Sequence, residues 1–524
     1  MYRRKTGQIS MFDSPEMFGG IPLSSENEWI RLSKIVPWDE FEKRYSKNFS
    51  SKKGQPACPS RMALGAILIK ERYKFSDVDV VKEIAMNPYL QYFIGLTQFQ
   101  HDAPFNASMM TRFRKRVCPK MLAWVNDIVI EREKLNKEET PKDIDEDDND
   151  DVNGTGKEDR ENHVKSENKE KLCEEDIRNS GTLILDATCV PQNIRFPTDA
   201  SLLNEARLNS EEIIDVLHEN KLTKGKKPRT YRTKAKKTYN SFSKDRKKTS
   251  KKTRKAVGKQ LGFLKRNLAH IQSILTIHKD ALLVLPKWLQ ERYFVLLALY
   301  EQQDMMYTNA THRVEDRIVS FHQPWVRPIV RGKQNRDVEF GAKVELSVVN
   351  GYTRVEEIHW EAFNEGKTLK ASIESYKKAY GFYPARVLAD KIFRTRENRQ
   401  YCKEHGMHMN GPKLGKPFSD PILRKQQQHL EWLESGERGE IERNIGVGKN
   451  RYSLGCIAQK LKETSELTIQ ASVLAMNLWK KLRLLFAHFF AQAFSRQFCT
   501  SFSDFFLFVS LKFAENEMNE KYAT

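Results

Sequence analysis

The stretch that most constrains the fold is Gly181–Val190, in which three consecutive branched aliphatic residues lead straight into an aspartate. A short apolar run of this kind predicts a buried strand rather than a surface helix. A buried carboxylate cannot stay charged without a partner, so Asp186 is expected at the end of a sheet or beside a cation. The simpler alternative is an aspartate that caps a turn where the strand ends.

A second stretch repeats this design. In Arg386–Lys391, Val387 and Leu388 lead into Asp390. Two strands that each end in a carboxylate predict a metal site, because hard divalent cations prefer oxygen ligands. The repetition therefore favours a metal site over two unrelated turns.

Charge and cysteine usage narrow the class of protein. The 524 residues carry a formal net charge of +20, which favours an anionic partner, either nucleic acid or an acidic membrane surface. The length predicts two to three domains. The seven cysteines include no CxxC pair, so neither a zinc knuckle nor a disulfide framework is indicated and a reducing cytosol fits. The most apolar region, Leu484–Phe513, is interrupted by His488, Arg496 and Asp504, which argues against a membrane span.

Residues 1–135 are predicted to form a helical DNA-binding domain. Large apolar residues recur there at helical spacing, and Ser108 can cap a helix that carries Arg112, Arg114 and Arg116. Several short helices that end in a basic one are typical of helix-turn-helix-like DNA readers, in which the last helix enters the major groove. The alternative is a small helical bundle with a basic solvated face.

Two charged segments follow this region. Residues 136–180 are predicted to form an acidic disordered linker, since Asp143–Asp151 holds seven acids in nine positions. Lys221–Lys259 carries 18 Lys or Arg against one acid, within a basic helical insertion predicted at about 205–320. We interpret this run as a surface that follows DNA phosphates, with a localisation signal or plain solvation as alternatives. Its candidate DNA-binding residues are Lys226, Lys227, Arg229, Arg232, Lys236 and Lys237.

The next region alternates between strands and helices. Val338–Val349 and Tyr352–Trp360 have period-two patterns joined by Asn350-Gly351, a strong hairpin signal. The hairpin is followed by a predicted helix at Leu369–Tyr380 and then by the Asp390 strand. After that strand the predicted elements are a basic helix from Thr395 with Arg396, a short strand at Met407–Gly411 and a long helix from Pro421.

A third carboxylate belongs to this last helix. Arg438, Glu442 and Lys449 follow one another at offsets of four and seven, so a turn of ~100° per residue puts all three on one helix face. An acid flanked by basic residues can bind a metal while its neighbours hold phosphates. The alternative is a surface ladder of salt bridges.

The element order is that of an RNase H-like core, and the chain here resembles the insertion-sequence DDE transposases. More narrowly, Arg438-x3-Glu442-x6-Lys449 is similar to the subgroup marked by Y-x2-R-x3-E-x6-K, with Ser435 at the tyrosine position. In that subgroup the tyrosine helps to order a distorted DNA end, so Ser435 bears on how the second strand is processed. The resemblance extends to Pro324–Gly332, to the FGAKVELSVV segment, to Tyr452 and Leu454, and to Leu461–Thr464.

The resemblance implies an α/β fold class. It combines an RNase H-like mixed sheet flanked by helices, an N-terminal all-α helix-turn-helix-like domain and a basic helical insertion. The catalytic domain would span residues 181–480, and residues 481–524 would form a helical, Phe-rich tail.

The resemblance also implies a DNA transposase that nicks transposon ends by metal-dependent phosphodiester hydrolysis and transfers the 3′-OH to target DNA. Asp186, Asp390 and Glu442 would hold two Mg²⁺ ions, which Mn²⁺ could replace, while Arg438 and Lys449 grip the backbone. The partners would be double-stranded DNA and a second copy in a synaptic homodimer, in a bacterial-type cytoplasm at the nucleoid. The alternatives are a stand-alone nuclease of the same fold and a catalytically inactive DNA-binding protein.

Overall fold

A computed structural model describes residues 2, 15–50, 55–138, 179–223, 225–333, 336–361, 363–412 and 420–487. Most of the predicted acidic linker and most of the predicted C-terminal tail lie outside these residues. No helix in the described part of the chain is both long and apolar enough to cross a membrane.

The N-terminal region is helical, as its apolar spacing predicts. Asn27 and Ser76 cap helices there by accepting hydrogen bonds from backbone N–H groups, and Pro88 begins another helix. The helices are α1 (Glu28–Ile35), α2 (Trp38–Tyr45), α3 (Ser60–Tyr73), α4 (Asp77–Met86), α5 (Pro88–Phe93), α6 (Ser108–Arg116) and α7 (Pro119–Glu138).

The helix-turn-helix-like arrangement is not confirmed. A three-residue turn, 74–76, joins α3 to α4, but the first turn of α4 contains Asp77 and Asp79 instead of cations. The basic helix α6 follows α5 only after residues 94–107. This connection is longer than the three or four residues that join the helices of such a motif.

In the described part of the chain, six strands form one mixed sheet in the order β2-β3-β1-β5-β6, with β4 also paired to β3. β3 is antiparallel to β1, β2 and β4, whereas β5 is parallel to β1 and to β6. The strands are β1 (Thr182–Pro191), β2 (Arg327–Lys333), β3 (Arg336–Val349), β4 (Tyr352–His359), β5 (Arg386–Ala389) and β6 (His408–Met409). The five predicted strands are therefore confirmed as one sheet, and β2 is an additional strand at the edge of β3.

The hairpin between β3 and β4 turns at Asn350 and Gly351, with φ of 53° and 78°. A two-residue turn of this hand needs positive φ at both positions, which asparagine and glycine tolerate best. The Asn-Gly pair therefore fixes the register in which β3 meets β4.

The chain between β1 and β2 forms a helical insertion with its own hydrophobic core. Its long helices bury leucine and isoleucine stripes against one another and leave most of the lysines on the outside, whereas Arg207 is buried and pairs with Glu211. They are α8 (Asp199–Glu219), α9 (Arg232–Lys244), α10 (Ser250–Ile277) and α11 (Lys287–Thr308).

Four further helices complete the fold: α12 (Leu369–Tyr380), α13 (Arg396–Glu404), α14 (Pro421–Arg451) and α15 (residues 462–487). Glycine in a helix costs stability, yet α14 continues through Gly446 and Gly448. A Cβ at Gly448 would lie 2.6 Å from Leu454 and 3.0 Å from the sulfur of Met476, so this glycine permits close packing.

The two faces of the sheet are covered differently. One face packs against α12 and α13. The other shares a continuous core with α14, α15 and the N-terminal helices. Trp29 of α1 contacts Trp479 of α15 edge-on at 5.1 Å, and the Asn126 amide of α7 donates a 3.1 Å hydrogen bond to the Thr353 carbonyl of β4. The N-terminal helices therefore pack directly on the sheet region.

Removal of one side chain from α15 should test this shared core. Leu474→Ala should lower the free energy of unfolding by about 2–5 kcal/mol, because Leu474 is fully buried and its loss leaves a cavity. Leu485→Ala is the matched control, since Leu485 on the same helix is 48% exposed. Urea denaturation followed by circular dichroism would measure both variants. Equal losses would contradict a core built around α15.

Candidate active site

Asp186 and Asp390 lie side by side on adjacent parallel strands. Leu185 of β1 and Ala389 of β5 are the last residues paired between these strands, and Asp186 and Asp390 directly follow them in the sequence. Neighbouring strands lie ~4.8 Å apart. Ile184 and Leu388 belong to the core beneath α14, and side chains alternate along a strand. Both aspartates therefore lie on the sheet face that α14 covers.

Each aspartate also makes a local hydrogen bond. One carboxylate oxygen of Asp390 accepts the Lys391 N–H at 2.7 Å, so this residue caps the turn that ends β5. One oxygen of Asp186 accepts the Ala187 N–H at 2.8 Å. The turn-capping alternative is thus observed for Asp390, but it uses a single oxygen and leaves the second available.

The surroundings of Asp186 favour a cation. Burial raises the pKa of Asp186 to about 6, against the lowering effects of its hydrogen bond to Ala187 and of the Arg438 charge. The negative charges of Glu365 and Asp390 raise it further. A carboxylate in this position gains most from a nearby positive charge, because it is partly desolvated and has two acidic neighbours.

Glu442 is paired with its neighbour on α14, Arg438. The Arg438 Nη2 atom lies 2.7 Å from the Glu442 Oε1 atom, and the Glu442 side chain is 56% exposed. Among the residues that the structure describes, no group of three His, Cys, Asp or Glu side chains is assembled for a metal ion. The structure therefore brings Asp186, Asp390 and Arg438 together, and Glu442 as a third ligand stays a prediction.

The donor set of this site suits a divalent cation. Mg²⁺ prefers carboxylate oxygens and retains several waters, so it does not need a cage of protein ligands. Two adjacent aspartates, one of them partly desolvated and next to further acids, supply this chemistry. Mg²⁺ or Mn²⁺ therefore fits the residues present.

The C-terminal end of α14 is fixed by the N-terminal region. The Lys74 ammonium donates hydrogen bonds to the carbonyl oxygens of Lys449 and Asn450, at 3.3 and 2.6 Å. A cation at a helix C-terminus is favourable because the last carbonyls there lack helical partners. Lys449 and Lys74 also line a cavity of about 570 Å³ between these two elements.

The three arginines of α6 have different surroundings. Arg114 binds both carboxylate oxygens of Asp77, at 2.8 and 2.6 Å, and its side chain is only 9% exposed. The Arg116 guanidinium lies 4.3 Å over the Phe49 ring. Arg112 is exposed. Arg114 therefore stabilises the helical region, while Arg112 is the most accessible of these three arginines.

All six predicted residues of the basic insertion are exposed, but three of them contact another side chain. Lys227 and Arg232 form ion pairs with Asp215 of α8, at 2.7 and 2.6 Å. Arg229 lies 4.7 Å over the ring of Tyr231. The other predicted residues of this surface are Lys226, Lys236 and Lys237. They are exposed, as is Arg396 at the start of α13.

Sequence reasoning missed two residues near the aspartates, Lys343 and Glu365. They form an ion pair of 2.8 Å, with side chains 14% and 16% exposed. No motif marks Glu365, because it lies in a short connection between β4 and α12. The alternation of β3 assigns Lys343 to the polar set with Glu345 and Ser347, so the sequence pattern does not predict that this pair is largely buried.

The mixed sheet with its paired aspartates agrees with an RNase H-like core, and comparison with known families supports a transposase. Residues 21–116 match a transposase domain (DUF772), and residues 387–479 match a transposase DDE domain. These two matches support an insertion-sequence DDE transposase, which confirms the resemblance found in the sequence.

One curated protein gives a partial match. The chain is 39% identical over 93 residues to an uncharacterized protein, ORF8 in the nfe locus, from Rhizobium meliloti. The match covers 18% of this chain and 44% of that protein, so the chain spans less than half of its relative's length. No solved structure matches the chain.

The raised pKa of Asp186 predicts a pH-dependent stability in the absence of metal. A carboxyl group whose pKa is higher in the folded state stabilises the fold when protonated and loses that contribution as pH rises through about 6. In EDTA, Asp186→Asn should therefore be more stable than the wild type at pH 7.5, by on the order of 2 kcal/mol. Near pH 4 the difference should disappear. Thermal unfolding at both pH values measures this, and a difference independent of pH would contradict it.

Proposed function

We propose that the protein binds transposon ends, nicks them by metal-dependent phosphodiester hydrolysis and transfers the freed 3′-OH to target DNA. The observation that carries this proposal is the placement of Asp186 and Asp390 after the last paired residues of β1 and β5, beneath a helix that brings Arg438 to them. Phosphoryl transfer needs acidic metal ligands beside cationic groups that bind phosphate, and this site supplies both.

The roles follow from the chemistry of each side chain. Asp186 and Asp390 would hold two Mg²⁺ ions, with Mn²⁺ able to substitute, and Glu442 would complete the ligand set. Bound there, the ions would supply activation of water or of the 3′-OH and neutralisation of the leaving oxygen. The planar guanidinium of Arg438 can bind a phosphate with two hydrogen bonds, and Lys449 adds a point charge farther along α14.

Arg438 would then change partners when DNA binds. In the structure its guanidinium pairs with Glu442. An exposed pair within one helix is worth only ~0.5 kcal/mol, so a phosphate can displace Glu442 at little cost. The same movement would free the Glu442 carboxylate for the metal site.

The partners and location follow from charge and reaction. Double-stranded DNA, as transposon end and as target, would bind the exposed cations of the insertion, of α6 and of α13. A homodimer would hold two ends together, in the cytoplasm at the nucleoid. A stand-alone nuclease of this fold would cut without joining, and an inactive DNA-binding protein would do neither, so one assay separates the three.

The three carboxylates give the most direct test. Asp186→Ala, Asp390→Ala and Glu442→Ala should each abolish Mg²⁺-dependent cleavage and joining of end DNA, because each removes a metal ligand. Binding of the same DNA should persist, since its affinity comes from cations elsewhere. The assay uses labelled DNA that carries the terminal sequences flanking the gene, with band shift and cleavage scored on the same samples.

Glu440→Ala is the matched control for Glu442→Ala. Glu440 is on the same helix but lies 3.6 Å from the Lys480 ammonium of α15, away from the aspartates. If Glu440→Ala is inactive and Glu442→Ala cuts normally, the assignment of the third acid is wrong. Ser435→Tyr should leave the first nick unchanged and alter only second-strand processing. Wild-type protein that binds ends without cutting would favour the inactive DNA-binding protein.

The insertion should contribute through its exposed cations. Alanine at Lys226, Lys236 and Lys237 should flatten the slope of log affinity against log salt by about 0.9 for each phosphate that the variant no longer neutralises. Arg232→Ala is the control, because its guanidinium is already bound to Asp215 and should change the slope less. Fluorescence anisotropy over a salt series measures both slopes. An unchanged slope for the triple variant would remove the insertion from the DNA surface.

A further inference from the structure

The segment between β4 and α12 occupies the space where β5 ends. β1 continues to Pro191, but it pairs with β5 only as far as Leu185. The short 3-10 helix Glu365–Lys367 packs against the turn Lys391–Phe393, which directly follows Asp390. The segment lies where β5, the shorter strand, ends. A charged residue in it can therefore interact electrostatically with both aspartates.

Hydrogen bonds to backbone carbonyls and close backbone packing fix this segment to the turn after Asp390. The buried Asn398 amide donates hydrogen bonds to the carbonyl oxygens of Gly366 and Phe393, at 2.6 and 2.8 Å. A Cβ at Gly366 would lie 2.9 Å from the Ile392 carbonyl oxygen, so only glycine allows the two backbones to approach so closely. The position of Glu365 relative to Asp390 is thus determined by main-chain packing.

The Glu365 carboxylate is held in one orientation. The Lys343 ammonium lies 2.8 Å from its Oε1 atom and also donates to the Phe363 carbonyl oxygen at 2.8 Å. Lys343 in turn is on β3, opposite Cys189 of β1. The pair is largely shielded from water, and the Glu365 carboxylate is close enough to Asp186 to interact with it electrostatically.

We infer that Glu365 is a positioning residue of the metal centre, held by Lys343 and by the Asn398 clamp so that its charge and its segment prepare Asp186 and Asp390 for a divalent cation. The inference rests on the proposed function. Groups just outside the metal ligands commonly change metal affinity 10–100-fold, because they orient the ligands and set the local field. Glu365 does both: it adds negative charge beside the aspartates, and its segment supports the turn that Asp390 caps.

Metal binding without DNA tests this role directly. Titration with Mn²⁺, with free ion measured by electron paramagnetic resonance, should show binding by Glu365→Gln roughly tenfold weaker than by the wild type. The acidic stretch Asp143–Asp151 will bind Mn²⁺ in every variant. The binding that counts is therefore the part that disappears in Asp186→Ala.

Two further variants separate charge from packing. Glu361→Gln removes an exposed glutamate from the same connection and should leave Mn²⁺ binding unchanged. Glu365→Asp keeps the charge on a shorter side chain and should stay within about threefold of the wild type, well inside the usual effect of such groups. Equal loss in Glu365→Asp and Glu365→Gln would assign Glu365 to packing alone and overturn the inference, as would unchanged binding in Glu365→Gln.

The same titration distinguishes this inference from the proposed function. If the wild type shows no Mn²⁺ binding that depends on Asp186, the metal centre itself fails. If that binding exists and Glu365→Gln does not weaken it, only the role of Glu365 fails. Should Glu365→Gln unfold, judged by circular dichroism, the comparison of Glu365→Asp with Glu361→Gln decides, and a loss above threefold in Glu365→Asp counts against the inference.

Discussion

The parallel pairing of β1 with β5 is the constraint on which the rest of the structure depends. Asp186 and Asp390 are separated by a helical insertion, a hairpin and a helix, yet the pairing of Leu185 with Ala389 makes them neighbours. Because side chains alternate along strands, the same pairing puts both carboxylates on the face that α14 covers. A register shift of one residue would turn one of them to the opposite face and remove the site.

The positive charge of the chain serves two purposes that the structure separates. Some cations are committed to the fold: Arg114 binds Asp77, Arg232 binds Asp215, and Lys74 caps the last carbonyls of α14. Others, on the insertion and on α13, are exposed; Arg232 and Lys74 are exposed as well, but each is already bound to a protein group. A cation that leaves a partner within the protein to bind a DNA phosphate loses part of the binding free energy, because it must break the first ion pair. A cation without such a partner exchanges only water and counterions.

The N-terminal helices and the sheet pack against each other. They share one core through α15, and Lys74 joins them at the end of the helix that carries Arg438 and Glu442. The N-terminal helical region is therefore connected through packed side chains to the site beneath α14. The insertion differs, since its long helices bury one another in a core of their own.

The sequence by itself determined the strands, the hairpin and both aspartates, because these features depend on local patterns. Period-two alternation, Asn350-Gly351 and an apolar run ending in Asp are properties of neighbouring residues. Helical periodicity likewise placed Arg438 and Glu442 on one face of α14. The comparison with known families confirmed the resemblance that these motifs carry.

Only the tertiary structure decided which charged residues meet. Arg114 and Arg232 each bind an acid on another helix, and Lys343 on β3 pairs with Glu365 in the connection after β4. The pairing of Arg438 with Glu442 selects one rotamer among several. β2 was also missed, because its single hydrogen-bonded neighbour is the first part of β3, across a connection that sequence pattern does not specify. Local patterns fix the backbone of each element, but the ion pairs depend on distances across the fold, which only its packing determines.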